Sequence, residues 1–98
     1  MRVDFMPRSV TALSRMARRW RDTARIPEVF HEDIEDVVAR IAQAPTTGAV
    51  AQRTSRHTVY RMAAHKTKLY LYYVVDEAKA VVKVLQVWSQ FRAGPPKL

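Results

Sequence analysis

Leu69-Tyr-Leu-Tyr-Tyr-Val-Val75 and Ala80-Val-Val-Lys-Val-Leu-Gln-Val-Trp88 are runs of β-branched and aromatic side chains, separated only by the short charged stretch Asp76-Glu-Ala-Lys79. That pattern specifies an antiparallel hairpin. The connection has no Asn-Gly or Asp-Gly, so it predicts a longer loop rather than a tight two-residue turn. A third run, Val59-Tyr-Arg-Met-Ala-Ala-His65, precedes them, which predicts three strands near 58–64, 68–75 and 80–88. In the middle strand Tyr70, Tyr72 and Val74 point to one face, and Leu69, Leu71, Tyr73 and Val75 to the other. Both faces therefore read as apolar.

The segment before these strands reads as helical cover. Arg2-Val-Asp-Phe5 alternates polar and apolar, as a short first strand does, and Pro7 suits the first turn of a helix. Val10, Leu13, Met16, Ala17 and Trp20 then form one apolar stripe, with Arg8, Arg15, Arg18, Arg19 and Arg21 mostly off it. The arginines read as a solvated face in preference to a phosphate-binding ridge. Ala24-Arg-Ile-Pro27 ends that helix. A second helix is predicted from about Pro27 to Ala42, with Phe30, Ile34, Val37, Val38 and Ile41 inside and Glu28, Glu32 and Asp33 at its positive end. The two helices should form an antiparallel hairpin whose arginine-rich and acid-rich faces partly neutralise each other. Ala44-Pro-Thr-Thr-Gly48 is loop chemistry, and residues 49–58 have no clear period and read as loop. The predicted class is α+β: an N-terminal strand, a two-helix hairpin, then a three-stranded antiparallel sheet with both helices on one face. Two helices cover only one face, so the other should be a partner or target surface.

With 98 residues the chain is read as a single domain, residues 1–98, with a thin core. It has no cysteine, hence no disulfide framework and no thiolate metal site. No stretch reads as a signal peptide or a membrane span, so the expectation is a cytoplasmic protein with no membrane contact. The net charge of +8 is unevenly spread: +5 over residues 1–26, −4 over 27–42 and +7 over the remainder. Such a field attracts nucleic acid or an acidic protein. The carboxylates of the second helix read as a surface, not an acid/base pair or oxygen-ligand metal site. The three histidines lack metal-ligand spacing, and no cofactor is implied. His31 reads as a surface residue; His57 and His65, near Arg61 in sequence, are candidate proton carriers with no assignable partner.

The order strand, helix, helix, strand, strand, strand resembles the ParE/RelE family of type II toxin–antitoxin toxins. The likeness rests on Met1-Arg-Val-Asp-Phe-Met-Pro-Arg8, Pro45-Thr-Thr-Gly48, Lys66-Thr-Lys-Leu-Tyr-Leu-Tyr-Tyr-Val-Val75, Val84-Leu-Gln-Val-Trp-Ser-Gln-Phe-Arg92 and the closing Gly94-Pro-Pro. The resemblance implies a toxin that arrests growth and is neutralised by a cognate antitoxin, whose acidic C-terminal segment wraps helices and sheet to give a hetero-oligomer. ParE-like members inhibit DNA gyrase without catalytic residues; RelE-like members cut messenger RNA in the ribosome, with arginine steadying the extra charge on phosphate. Arg61 and Arg92 match family arginines. Tyr70 stands where the nucleases carry an arginine, and no tyrosine follows Arg92. The resemblance therefore leans to ParE and to gyrase, with a RelE-type nuclease using Arg61, Tyr70 and Arg92 as the alternative. A third reading is a basic nucleic-acid-binding module without activity. The expected target contacts are Arg61, Trp88 and Arg92; the expected antitoxin contacts are Tyr70, Tyr72, Val74 and Trp20. Against these stand plainer roles: arginines guarding a sheet edge, aromatics filling a core, and Gly94-Pro95-Pro96 simply ending the last strand. Lys66 and Lys68 read as solvated edge lysines.

Overall fold

The computed structural model describes residues 1–23 and 25–98. Strand β1 (Arg2–Phe5) leads into helix α1 (Pro7–Thr23) and helix α2 (Glu28–Gln43). A 3-10 turn (Pro45–Thr47) follows, then β2 (Ala49–Arg53), β3 (Thr58–Ala64), β4 (Leu69–Asp76) and β5 (Val81–Ser89). The class is α+β, as the patterning predicts, and the elements fall where expected with two exceptions. Of the predicted terminus of the first helix, Ala24 lies outside the described residues.

The first exception is the sheet, which has five strands in the order β1-β5-β4-β3-β2. Residues 49–53, expected as loop, form the edge strand β2 against β3, with a bulge between Val50 and Gln52. All of its residues are exposed, so burial imposes no alternation on them. β1 is no isolated strand either: it pairs parallel with β5, Val3 opposite Val82 and Phe5 opposite Val84. The hairpin of β4 and β5 is antiparallel with a bulge between Tyr72 and Tyr73. Its connection is the four residues Glu77–Ala80, longer than a tight turn, with Lys79 N–H donating to Asp76 Oδ1 at 3.1 Å and Ala80 at φ 52°.

The second exception is the start of α1, where the inner face departs from the predicted stripe at Val10. Val10 is 47% exposed, while Ser9 and Ala12 are buried and Leu13, Met16, Ala17 and Trp20 pack around the core. Small side chains at 9 and 12 let the helix approach β5 closely, which a valine there would prevent. Ser9 costs nothing by its burial, because its hydroxyl donates to Met6 O at 2.6 Å. The core under the helices joins Phe30, Ile34, Val37 and Ile41 to Leu71, Tyr73, Val82, Val84 and Val87, all buried.

The expected neutralisation between the helices is absent. Among the described residues the ion pairs are Arg2–Asp4, Arg21–Asp22, Asp36–Arg40 and Asp76–Lys83, and none joins an α1 arginine to an α2 carboxylate. Nor is Asp33 part of a solvated acidic face: it is 4% exposed and clamps the β3–β4 turn. Its Oδ2 accepts from Thr67 N at 2.7 Å, Thr67 Oγ1 at 2.7 Å and Lys66 N at 3.1 Å. Burial alone would raise the Asp33 carboxyl, but those bonds and the charge of His65 prevail and hold it below the ordinary 3.8.

Candidate functional site

The two faces of the sheet follow from register. Residues directly opposite on neighbouring strands share a face, so Tyr70, Tyr72, Val74 and Asp76 of β4 lie with Trp88, Gln86, Lys83 and Val81 of β5 and with Arg61 and Ala63 of β3. The sequence reads this face as apolar and open. It is instead divided into three zones.

At the end near β1 it is charged: Lys83 Nζ lies 3.9 Å from Asp76 Oδ2, and Arg2 Nη2 lies 3.1 Å from Asp4 Oδ2. Val74, opposite Lys83, is half-buried there. The middle is closed, since Tyr72 is only 1% exposed and Gln86 is buried. The C-terminal segment returns toward this side of the molecule. Trp88 Nε1 donates to Gly94 O at 3.1 Å, Pro96 is buried, and Arg8 Nη2 donates to Lys97 O at 3.3 Å. Gly94 makes the turn at φ +75°, a conformation open to glycine. The proline segment thus does more than end the last strand. Tyr72, expected as an antitoxin contact, has almost no surface to offer one.

The third zone, at the Ser89 end, holds the candidate site. Tyr70 of β4 stands directly opposite Trp88 of β5. The Arg61 guanidinium carbon lies 4.4 Å from the centre of the Tyr70 ring, and that of Arg92 lies 3.9 Å from the Trp88 ring. The result is a row: Arg61, Tyr70, Trp88, Arg92. Each arginine is held over an aromatic face by cation–π attraction, which orients the guanidinium plane and leaves its outward donors to solvent. The row borders a groove of about 430 Å³ between the exposed β2 residues Val50 and Ala51 and the turn at Gly94–Pro95. The bulge on the β5 side of Tyr72 and Tyr73 lies beside the row, and bulges commonly re-aim side chains in this way.

Among the described residues the row includes no histidine or carboxylate. His57 sits exposed in the β2–β3 turn and His65 exposed in the β3–β4 turn, so the structure brings neither into the row. Tyr70 carries the hydroxyl of the row. Arg61, Tyr70, Trp88 and Arg92, all singled out from sequence, are therefore brought together; Tyr72 lines the same groove with its ring 6.2 Å from that of Tyr70, whereas Val74 and Trp20 lie outside it.

Trp20 lies on the helix side. Its ring is 6.2 Å from that of Phe30, and with Met16, Phe30 and Leu69 it lines a groove of about 460 Å³ rimmed by Arg15, Arg19 and Arg92. Arg92 borders both grooves, because it follows the end of β5 at the rim of the sheet. The solvated reading holds in that Arg15, Arg18, Arg19 and Arg21 are all exposed; Arg15 and Arg19 also edge this apolar groove, and Arg18 and Arg21 edge another beside Pro27 and His31.

Two structural groups escaped the sequence reading. Arg40 of α2 donates from Nε to Asp36 Oδ2 at 3.2 Å and from Nη2 to Ala63 O at 2.8 Å, capping the edge of β3 beyond the reach of β2. Its spacing from Asp36 reads as an ordinary helical ion pair, so nothing in sequence points to β3. Tyr73, rightly assigned to the core, also donates to Pro45 O at 2.6 Å and ties the Pro45–Gly48 loop to β4. Burial pushes its hydroxyl above the usual 10.0.

No protein-family model matches the chain, and no curated protein matches it. Solved structures do. The chain is similar to the isolated E. coli RelE toxin, with a TM-score of 0.63 and 21% identity over 94% of this chain and 86% of that one. It is likewise similar to a chain of the intact E. coli RelBE toxin–antitoxin complex, with a TM-score of 0.62 and 21% identity over 93% of this chain and 98% of that one. At such identity the likeness is one of architecture, and the chain has a RelE-like fold over nearly its whole length.

Proposed function

We propose that this chain is a growth-arresting toxin of a type II toxin–antitoxin module, held inactive by a cognate antitoxin, and that the free protein acts on RNA through the row Arg61, Tyr70, Trp88 and Arg92. The observation that carries the reading is the row itself, two guanidiniums and two aromatic faces side by side on an open part of the sheet. Guanidiniums bind phosphate oxygens in a fixed fork, and aromatic faces stack bases without regard to sequence. One architectural neighbour is the isolated E. coli RelE toxin, and another is a chain of the E. coli RelBE toxin–antitoxin complex. That favours the RelE-type alternative over gyrase inhibition, toward which the sequence resemblance leans.

In the reaction so proposed, a ribose 2′-hydroxyl attacks the adjacent phosphorus and loses its proton to water. A 2′,3′-cyclic phosphate forms, the bond to the 5′-oxygen breaks, and that oxygen takes up a proton. Arg61 and Arg92 would stabilise the charge that builds on phosphate, where a preorganised donor is worth most. The Tyr70 hydroxyl, beneath Arg61, is the row's candidate donor to the departing 5′-oxygen. The helix-side groove suits the antitoxin, since its apolar floor and arginine rim match an acidic amphipathic segment. The net charge of +8 speeds either encounter.

The test is controlled induction in cells with the 5′ ends of transcripts mapped at the onset of arrest. New ends within coding sequences, absent with Arg61→Ala, are the expected result. DNA breaks and filamentation without new transcript ends would restore the gyrase reading. Unimpaired growth with wild-type protein would sink both.

A further inference from the structure

The Arg61–Tyr70 stack borders more than one depression. Behind it, away from Trp88, lies a second hollow of about 510 Å³. Arg61 and Tyr70 line this hollow as well as the first, so the stack is a low ridge between two halves of one track. The far half lies between the end of α2, with Arg40 and Gln43, and the edge of β3 at Met62–Ala63. β2 does not reach that edge, because its pairing with β3 begins at Ala49 opposite Arg61, and Arg40 Nη2 takes Ala63 O there instead.

We propose that a single-stranded RNA runs over this ridge, and that Arg40 and Gln43 form a further subsite for the nucleotide beyond Tyr70. The inference rests on the RNA reading above and extends it to residues outside the row. Along the track the cations come in sequence: Arg92, Arg61, Arg40. Among the described residues no carboxylate lines either hollow. Arg40 is oriented by Asp36 and Ala63 O, and among the described residues its Nη1 has no partner. A guanidinium fixed through two of its nitrogens at the wall of a hollow, with a further donor unused, is preorganised for a phosphate oxygen. Gln43 is exposed and has no side-chain bond among the described residues, leaving its amide free to meet a base edge. Cations and flat faces gathered along one groove suit a polynucleotide, which presents both phosphates and bases along its length.

The probes are a fluorescently labelled uridine trimer and hexamer, titrated with the full chain and followed by anisotropy. The trimer fits the row; the hexamer reaches the far hollow. The hexamer is expected to bind about tenfold more tightly, the gain of one further stacked or phosphate-bound nucleotide. Gln43→Glu puts a negative charge in the far hollow without removing a packed group. It should erase the hexamer's advantage and leave the trimer as it was, at an unchanged melting temperature. Arg61→Ala should weaken both. Equal affinity of the two oligomers, or a hexamer indifferent to Gln43→Glu, would overturn the subsite while a persisting Arg61 effect leaves the row standing. Failure of both oligomers to bind would remove the row and the subsite together. Displacement of the hexamer by oligoglutamate as readily as by unlabelled hexamer would also overturn the subsite, as a mere anion-binding surface.

Discussion

The two faces of this sheet are built from the same strands and obey opposite rules. Leu69, Leu71, Tyr73, Val82, Val84 and Val87 face the helices in a buried core, and Tyr73 finds a partner for its hydroxyl in Pro45 O. The residues between them face the other way into charge pairs, a closed middle and a row of stacked arginines. Packing decides the first face. On the second, long cationic side chains lie on aromatic planes in positions set by weak attractions, each worth about 0.5–1 kcal/mol at exposed sites. One face should therefore govern whether the chain folds, and the other what it does when folded.

The sharpest way to break that contrast is to cut into each face in turn. Leu71→Ala, at a fully buried site, should cost about 2–5 kcal/mol by denaturant titration. A loss below about 1 kcal/mol would mean that the core face is looser than described. Arg61→Ala or Arg92→Ala should move stability by no more than about 1 kcal/mol, the worth of the cation–π contact removed. Either should lower RNA cleavage, or the toxicity that reports it, by about a hundredfold or more. A folded variant of full potency would remove that arginine from the site.

Gly48→Ala joins the two faces. A Cβ there would strike the Tyr73 hydroxyl and lie 2.8 Å from Arg61 O, so the substitution presses on the core and on the row's backbone together. It should cost about 1–3 kcal/mol in a thermal melt. Asp33→Asn tests the clamp on the β3–β4 turn, at about 1–2 kcal/mol above pH 5. Because the Asp33 carboxyl is depressed in the fold, its contribution is full above about 3.8 and disappears as pH falls through the folded value. Wild type should therefore lose stability in that acid window more steeply than Asp33→Asn does. The smallest effect belongs to Ala80→Gly. Relief of a left-handed alanine is worth about 1–2 kcal/mol and is offset by about 0.4–1 kcal/mol of added chain entropy, for a gain of about 0.8 kcal/mol.

What could be read from sequence follows the same divide. Wherever one face is buried, period betrays it. The strands around Leu71 and Val84 and the helix carrying Ile34, Val37 and Ile41 were legible for that reason. Strand β2 was not, because its exposed side chains need no alternation, and the inner face of α1 was missed where Ser9 and Ala12 replace bulk with closeness. The candidate residues Arg61, Tyr70, Trp88 and Arg92 stood out by type, but their gathering into a row depends on the register of β3, β4 and β5. Asp33 and Arg40 look like ordinary helical surface charges until Thr67 and Ala63 O arrive from distant strands. The burial of Tyr72 was invisible because nothing local in β4 distinguishes it from the half-buried Tyr70.

The parallel pairing of β1 with β5 has a bearing on when the molecule comes into being. Arg2 and Val81 are far apart in sequence, so the inner strand β5 gains its second neighbour only when distant parts of the chain meet. So non-local a pairing is slow to form, and closure of this edge should come late in folding. Whatever recognises the surface around β5 therefore meets a finished sheet, not a forming one.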